Sequence, residues 1–190
     1  LRGGGAPVAS CQWLPPVFPI DGEAATKEAS AAAEELLWRS WRRHDEHELL
    51  GVSCSYGLGV DAAGSFHPWP AGAEAGPMGW APWPDALLES LHRLADELPG
   101  RELLVASTGA WDTDDERRGH TLRGLHDAVS AAVVDRIPLR GCLWWSAVDG
   151  YEGRAGFDVR AGLFDRDRNP GPYLPAPPPN FGSESTSQRR

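Results

Sequence analysis

The chain has 190 residues, 41% hydrophobic and 24% charged, enough apolar material for one domain with a real core. A formal net charge of −9 argues against the basic face that a nucleic acid or an anionic membrane surface requires. Its longest apolar stretches, such as Gly141 to Val148, fall far short of the roughly 20 residues that cross a bilayer, and none reads as a secretory leader.

The chain opens Leu1-Arg2-Gly3-Gly4-Gly5, which reads as the interior of a longer sequence and lacks the Gly-Lys-Ser/Thr ending of a phosphate loop. Pro7–Leu14 is the first strand-like run. Glu23 to Arg43 is a predicted helix, with Ala32, Leu36, Leu37 and Trp41 recurring at helical spacing. The His44-Asp-Glu-His47-Glu run that follows lacks the His-Glu-x-x-His spacing of a zinc site and reads as solvated charge. Leu49–Ser55 is the second strand. Its Gly51-Val-Ser53-Cys-Ser55 stretch is no nucleophile elbow, because the second glycine is missing. A long loop, Tyr56–Pro84, leads to a helix from Asp85 to Leu98, opened by an acidic cap and stopped by Pro99-Gly100. Glu102–Ser107 is the third strand. Acids at Asp112, Asp114, Asp115 and Glu116 supply the cap and first turn of a helix over Asp114–Val134, whose apolar positions are Leu122, Leu125, Val129 and Val133. Arg140–Trp145 is the fourth strand, followed by a second long loop, Ser146–Arg168. From Asn169-Pro170 the chain turns Pro- and Ser-rich, which predicts a disordered tail over 169–190.

Strands alternating with helices predict right-handed βαβ units and a parallel sheet. The strands are continuous apolar runs, the pattern of a sheet covered on both faces. Both long loops leave carboxyl ends of strands, where such folds place their sites. Three widely spaced cysteines, Cys11, Cys54 and Cys142, read as reduced, buried thiols of a cytoplasmic protein. Nine tryptophans are a heavy load; most should be core or groove aromatics, but indole faces also stack on sugar rings.

The most specific stretch is Arg140-Gly-Cys-Leu-Trp-Trp-Ser-Ala-Val-Asp-Gly-Tyr-Glu152, followed by Arg160-Ala-Gly-Leu-Phe-Asp165. It resembles the last barrel strand and loop of family 1 glycoside hydrolases, where the motif runs Arg-Gly-Tyr-Phe-x-Trp-Ser-Leu-x-Asp-Asn-Phe-Glu-Trp and then Arg-Phe-Gly-Leu. Upstream, Met78-Gly79-Trp80-Ala-Pro-Trp83-Pro84-Asp85, Leu50-Gly51-Val52-Ser53-Cys54-Ser55 and Asp114-x-x-Arg117 with His120, Leu122 and His126 are similar to further family segments, in the same order. The resemblance covers most of residues 7 to 168. It implies an α/β fold, the C-terminal half of a (β/α)8 TIM barrel comprising strands five to eight over 1–168, with the tail replacing the final helix. It implies β-glucosidase-type hydrolysis of unphosphorylated β-glycosides as the ancestral activity, and it implies no cofactor and no metal.

The departures bear on chemistry. The family's nucleophile is the Glu of Thr-Glu-Asn-Gly. The aligned residues here are Ala106-Ser107-Thr108-Gly109, which puts Ser107 at that position. Retaining hydrolysis uses two carboxyl groups about 5–5.5 Å apart, and a neutral hydroxyl cannot do an anion's work there. The family's acid/base lies in an Asn-Glu-Pro motif on the fourth strand, and these 190 residues contain no Asn-Glu pair. The resemblance also places Cys54 where a tyrosine stands beside the nucleophile, and Gly153 where a tryptophan follows the sugar-binding glutamate. What it leaves is half of a glycone site. Glu152 would accept hydrogen bonds from sugar hydroxyls and Trp145 would underlie the ring, unless Glu152 is spent on Arg154 or Arg160. Asp112 or Glu116 could replace the lost nucleophile only through a rearranged loop. With two open parallel edges, such a half-barrel is expected to bind an N-terminal half-barrel or to self-associate.

Overall fold

The computed structural model describes residues 9–43 and 49–174. The His44–Glu48 run, the glycine-rich start and residues 175–190 of the expected tail lie outside them. The elements in chain order are β1 (Ala9–Trp13), β2 (Val17–Pro19), α1 (Ala24–Arg42), β3 (Leu49–Ser53), β4 (Gly57–Val60), β5 (Phe66–Trp69), α2 (Asp85–Glu97), β6 (Glu102–Thr108), α3 (Asp115–Val134) and β7 (Leu139–Trp144). A four-stranded parallel sheet runs β1-β3-β6-β7, a helix lying between each pair of its successive strands. This is the arrangement that the apolar runs predict: a partial barrel of βα units.

The core lies between the sheet and the helices. Leu50 and Val52 of β3, Leu103 and Val105 of β6 and Leu139 of β7 pack against Leu87, Leu91 and Leu94 of α2 and Leu125 and Val129 of α3. Pro84 occupies the cap position of α2 and no side chain caps that end, so Asp85 acts only as a first-turn acid. At α3 the cap is built as predicted, with the Asp114 carboxylate accepting the Arg117 backbone N–H at 2.9 Å. Helix α1 turns Leu37 and Trp41 inward as predicted, but Trp38 takes the place of Ala32 and Leu36. Trp38 and Trp41 are buried whereas Leu36 is 65% exposed. Two indoles remove more apolar surface from water than one leucine, and the Arg93 guanidinium roofs Trp38 at 4.6 Å.

The opposite face of the sheet differs from expectation, because helices cover one side only. Parallel register sets Cys11 beside Gly51 and Trp13 beside Ser53, so Cys11, Trp13, Leu49, Gly51 and Ser53 share the concave side. Trp13 is 37% exposed there and Leu143 of β7 56%. Cys11 is exposed too, which corrects the reading of three buried thiols; Cys54 is buried and Cys142 partly so.

The segment read as a bare loop, 56–84, contains β4 and β5, which pair antiparallel, and β2 joins β4 in parallel to complete a small second sheet. Its strand signal is weak because β4 carries Gly57 and Gly59, and β5 carries Pro68. The glycines are required: a Cβ on Gly57 would lie 2.7 Å from the Trp83 ring, and one on Gly59 2.8 Å from Ile20. Pro68 is tolerated because β5 is an edge strand. Residues 169–174, the first part of the expected tail, are laid back on α3. Gly171 donates to the Leu163 carbonyl at 2.7 Å, and Tyr173 lies under Arg123 and beside His126.

Candidate functional site

The resemblance-derived residues meet at the carboxyl ends of β6 and β7. Ser107 is half-buried at the end of β6 and registers against Ser53 of β3 after a bulge. The next residue, Thr108, is tied down from both sides. Its hydroxyl donates to the Cys54 carbonyl at 2.9 Å and meets the Ser55 hydroxyl at 3.1 Å, and its carbonyl accepts the Trp145 N–H at 2.8 Å. The Gly109 N–H donates to the Ser55 hydroxyl at 3.3 Å. Ser55, not Cys54, is therefore the side chain just past β3 that stands beside the β6 end. The Cys54 thiol points into the helix-side core toward Ser90, and burial pushes it up to about 11. Alternation along the strand sends neighbouring residues to opposite faces, so an offset of one residue exchanges their roles.

Gly109 is where the strand ends meet. A Cβ there would lie 2.1 Å from the Trp145 carbonyl oxygen, so only glycine lets the two strand ends close together. The Trp145–Ser146 peptide is cis, and the Trp145 ring is 53% exposed. Beyond it, Asp149 is buried and its carboxylate accepts the N–H groups of Ala161 and Gly162 at 3.0 and 2.6 Å. This carboxylate joins the two halves of the long loop after β7. Gly162 must be glycine as well, since a Cβ would fall 2.2 Å from the Asp149 nitrogen.

Glu152 is 9% exposed and sits above the strand ends. One of its oxygens, Oε2, accepts the Trp111 indole N–H at 3.1 Å and the Trp145 indole N–H at 3.5 Å. Arg160 does not pair with it. That guanidinium binds the Asp115 carboxylate and donates to the Thr113 carbonyl at 2.5 Å. The Arg154 side chain lies outside the described residues. Trp111 comes from the loop after β6 and carries no sequence signal that would bring it to Glu152. Around it a small apolar cavity of about 40 Å³ is lined by Tyr56, Met78, Trp80, Ala110 and Trp111. Tyr56 stacks on Trp80 at 4.9 Å and meets Trp13 at 5.8 Å, and burial raises its hydroxyl to about 12.

Neither acid considered as a substitute nucleophile is placed for it. Asp112 is buried with both oxygens engaged by Arg117, at 3.0 and 2.8 Å, and that guanidinium holds the carboxyl below the usual carboxylate range. Glu116 is exposed in the first turn of α3. Among the described residues no group of three His, Cys, Asp or Glu side chains could hold a metal ion. No helix among them is long and apolar enough to cross a membrane.

The fold and site together define a parallel α/β partial barrel whose strand ends carry a carboxylate among indoles. No family model matches the chain. Among curated proteins it is 36% identical over 105 residues to a bifunctional β-D-glucosidase/β-D-fucosidase of Bifidobacterium breve, covering 47% of this chain and 23% of that enzyme. It is 29% identical over 101 residues to a 1,4-β-D-glucan glucohydrolase of Thermotoga neapolitana, covering 48% and 24%. Among solved structures it superposes on a family 1 β-glucosidase of Thermotoga maritima with a TM-score of 0.69 at 17% identity, over 84% of this chain and 46% of that one. On a β-glycosidase of Pyrococcus horikoshii the TM-score is 0.72 at 20% identity, over 86% and 44%. In sequence and fold, then, the chain is similar to family 1 β-glycosidases, and it spans less than half the length of those it matches.

Proposed function

We propose that this chain is a family 1 glycoside hydrolase-like glycone-binding half, which holds a neutral sugar on Trp145 and Glu152 but does not by itself cleave glycosides. The observation that carries this reading is the pairing of the buried Glu152 with the exposed Trp145 indole at the carboxyl ends of a parallel sheet. An indole face gives a sugar ring an apolar platform, and a carboxylate oxygen accepts its hydroxyls. Ser107 supports the non-catalytic part. A neutral hydroxyl at the nucleophile position neither stabilises an oxocarbenium-like transition state nor leaves readily from a glycosyl adduct. Loss of one member of a catalytic unit commonly costs about 10⁴–10⁶ in rate. This is a pseudoenzyme reading of a β-glucosidase-type site.

The same reading places further strands against β1 and β7, supplied by an N-terminal half-barrel or by a second copy of this chain. The concave face that carries Trp13, Leu49 and Leu143 would then become an interior. Three cysteines without disulfide partners favour a reducing, cytoplasmic setting.

The test is a titration of the 190-residue chain with D-glucose, followed by tryptophan fluorescence. Saturable binding in the millimolar range is expected, weakened at least tenfold by Glu152→Gln and by Trp145→Ala and unchanged by Ser107→Ala. Binding indifferent to Glu152 and Trp145 would refute the site. Turnover of an aryl β-glucoside that survives Ser107→Ala would refute the non-catalytic reading.

A further inference from the structure

The geometry points to Trp111 as a positioning residue for Glu152: its indole N–H and that of Trp145 clamp one carboxylate oxygen, leaving Oε1 as the acceptor offered to a ligand hydroxyl. The inference rests on the proposed sugar site and adds a residue to it. Three observations on different parts of the chain support it.

The first is the hydrogen bond itself. Trp111 Nε1 lies 3.1 Å from Oε2, closer than Trp145 Nε1 at 3.5 Å, so Trp111 is the better-placed donor. No described residue donates to Oε1, and Arg160, the nearby cation within the described loop, is committed to Asp115 and Thr113. The second is that the residue after Glu152 gives it no support. Gly153 has φ +44° and open space where a side chain would be. Support for the carboxylate therefore comes from across the site, from a residue 41 positions earlier. The third is that the Trp111 loop is fastened to the Glu152 loop. Asp112, adjacent to Trp111, exchanges backbone hydrogen bonds with Arg160 at 3.1 and 3.0 Å. The Asp112 carboxylate is gripped by Arg117, while the Arg160 side chain crosses back to Asp115 and the Thr113 carbonyl. These ties fasten the segment after Trp111 to the loop that carries Glu152, which favours an indole preorganised before any ligand arrives.

The consequence is a specificity rule. A carboxylate whose two oxygens were both free could take a pair of adjacent hydroxyls. One whose Oε2 already accepts two indole donors offers only the lone pairs of Oε1, so ligand hydroxyls converge on that one oxygen instead of bridging the two. Trp111 also lines the small aromatic cavity together with Tyr56 and Trp80.

The experiment uses the ¹⁵N-labelled 190-residue chain and reads the indole N–H resonances of its nine tryptophans. The Trp111 resonance is assigned by its disappearance in Trp111→Phe, whose remaining resonances report that the fold is intact. The proposal expects this resonance to shift upfield in Glu152→Gln and in Glu152→Ala. An unmoved Trp111 resonance in both variants overturns it. Glucose affinity supplies the second arm. Trp111→Phe is expected to weaken binding about tenfold, the scale of one hydrogen bond to a charged group. Combined with Glu152→Ala, which removes the acceptor altogether, it should weaken binding no further than Glu152→Ala alone. Additive losses would mean that Trp111 acts independently of Glu152, and would overturn the proposal. If the wild-type chain binds no glucose, the sugar-site reading fails while the resonance arm still decides the clamp.

Discussion

Asp149 and Gly162 meet at the one place where the two conspicuous sequence stretches, 140–152 and 160–165, have to fit each other. The carboxylate accepts two consecutive backbone N–H groups, and the glycine leaves room for the turn. Gly109 plays the corresponding part between β6 and β7. Gly109→Ala is expected to cost about 3 kcal/mol or more in urea denaturation, since the clash is with a backbone carbonyl that cannot rotate away. The Asp112–Arg117 pair predicts a pH signature. Arg117 lowers the Asp112 carboxyl in the folded chain, so the pair stabilises above the unfolded Asp value of about 3.9, and this contribution fades as pH falls through the lowered folded value. Asp112→Asn should destabilise the chain at pH 7, and the gap to wild type should shrink once the pH drops below about 4; a gap that widens on acidification would contradict the pair's role. Thiol accessibility gives a third residue-level outcome. With a thiol reagent at pH 7, Cys11 should react first. Cys54 and Cys142, raised by burial to about 11 and about 12, should react only on unfolding.

Among the elements, those with an apolar period were legible. The four strands of the main sheet and all three described helices fall within a residue or two of the bounds that periodicity predicts, because burial against one core enforces both patterns. The small sheet was not legible. Gly57, Gly59 and Pro68 are poor strand formers, held extended by the Trp83, Trp69 and Ile20 side chains packed against them. The inward stripe of α1 was partly legible: Leu37 and Trp41 face the core as spacing predicts, but the larger Trp38 is buried where Leu36 is not. Trp41→Ala is expected to cost about 3–5 kcal/mol, and Leu36→Ala to fall within experimental scatter in the same denaturation experiment. The site was legible in part. Trp145 and Glu152 come from one short motif, but Trp111 reaches Glu152 only through tertiary structure, across an interval that no local pattern spans. The confusion of Cys54 with Ser55 has the same origin, since a single-residue offset on a strand decides between core and site.

For the molecule as a whole, the surface that the helices leave uncovered is the concave face of the sheet. Its edges β1 and β7 have no further strand among the described residues, and Trp13 and Leu143 stand exposed on or beside it. If more strands complete a barrel there, Leu143→Glu should abolish association, whether with a second copy or with an added N-terminal half. Sedimentation velocity would register this as a return to the monomer. The deeper claim concerns chemistry, that sugar is held but not attacked. It is tested most directly by intact-mass measurement after incubation with an activated 2-fluoroglucoside, a reagent that leaves a long-lived glycosyl group on a competent carboxylate. The account predicts an unchanged mass. A stoichiometric glycosyl increment on any acidic side chain of this chain would contradict it.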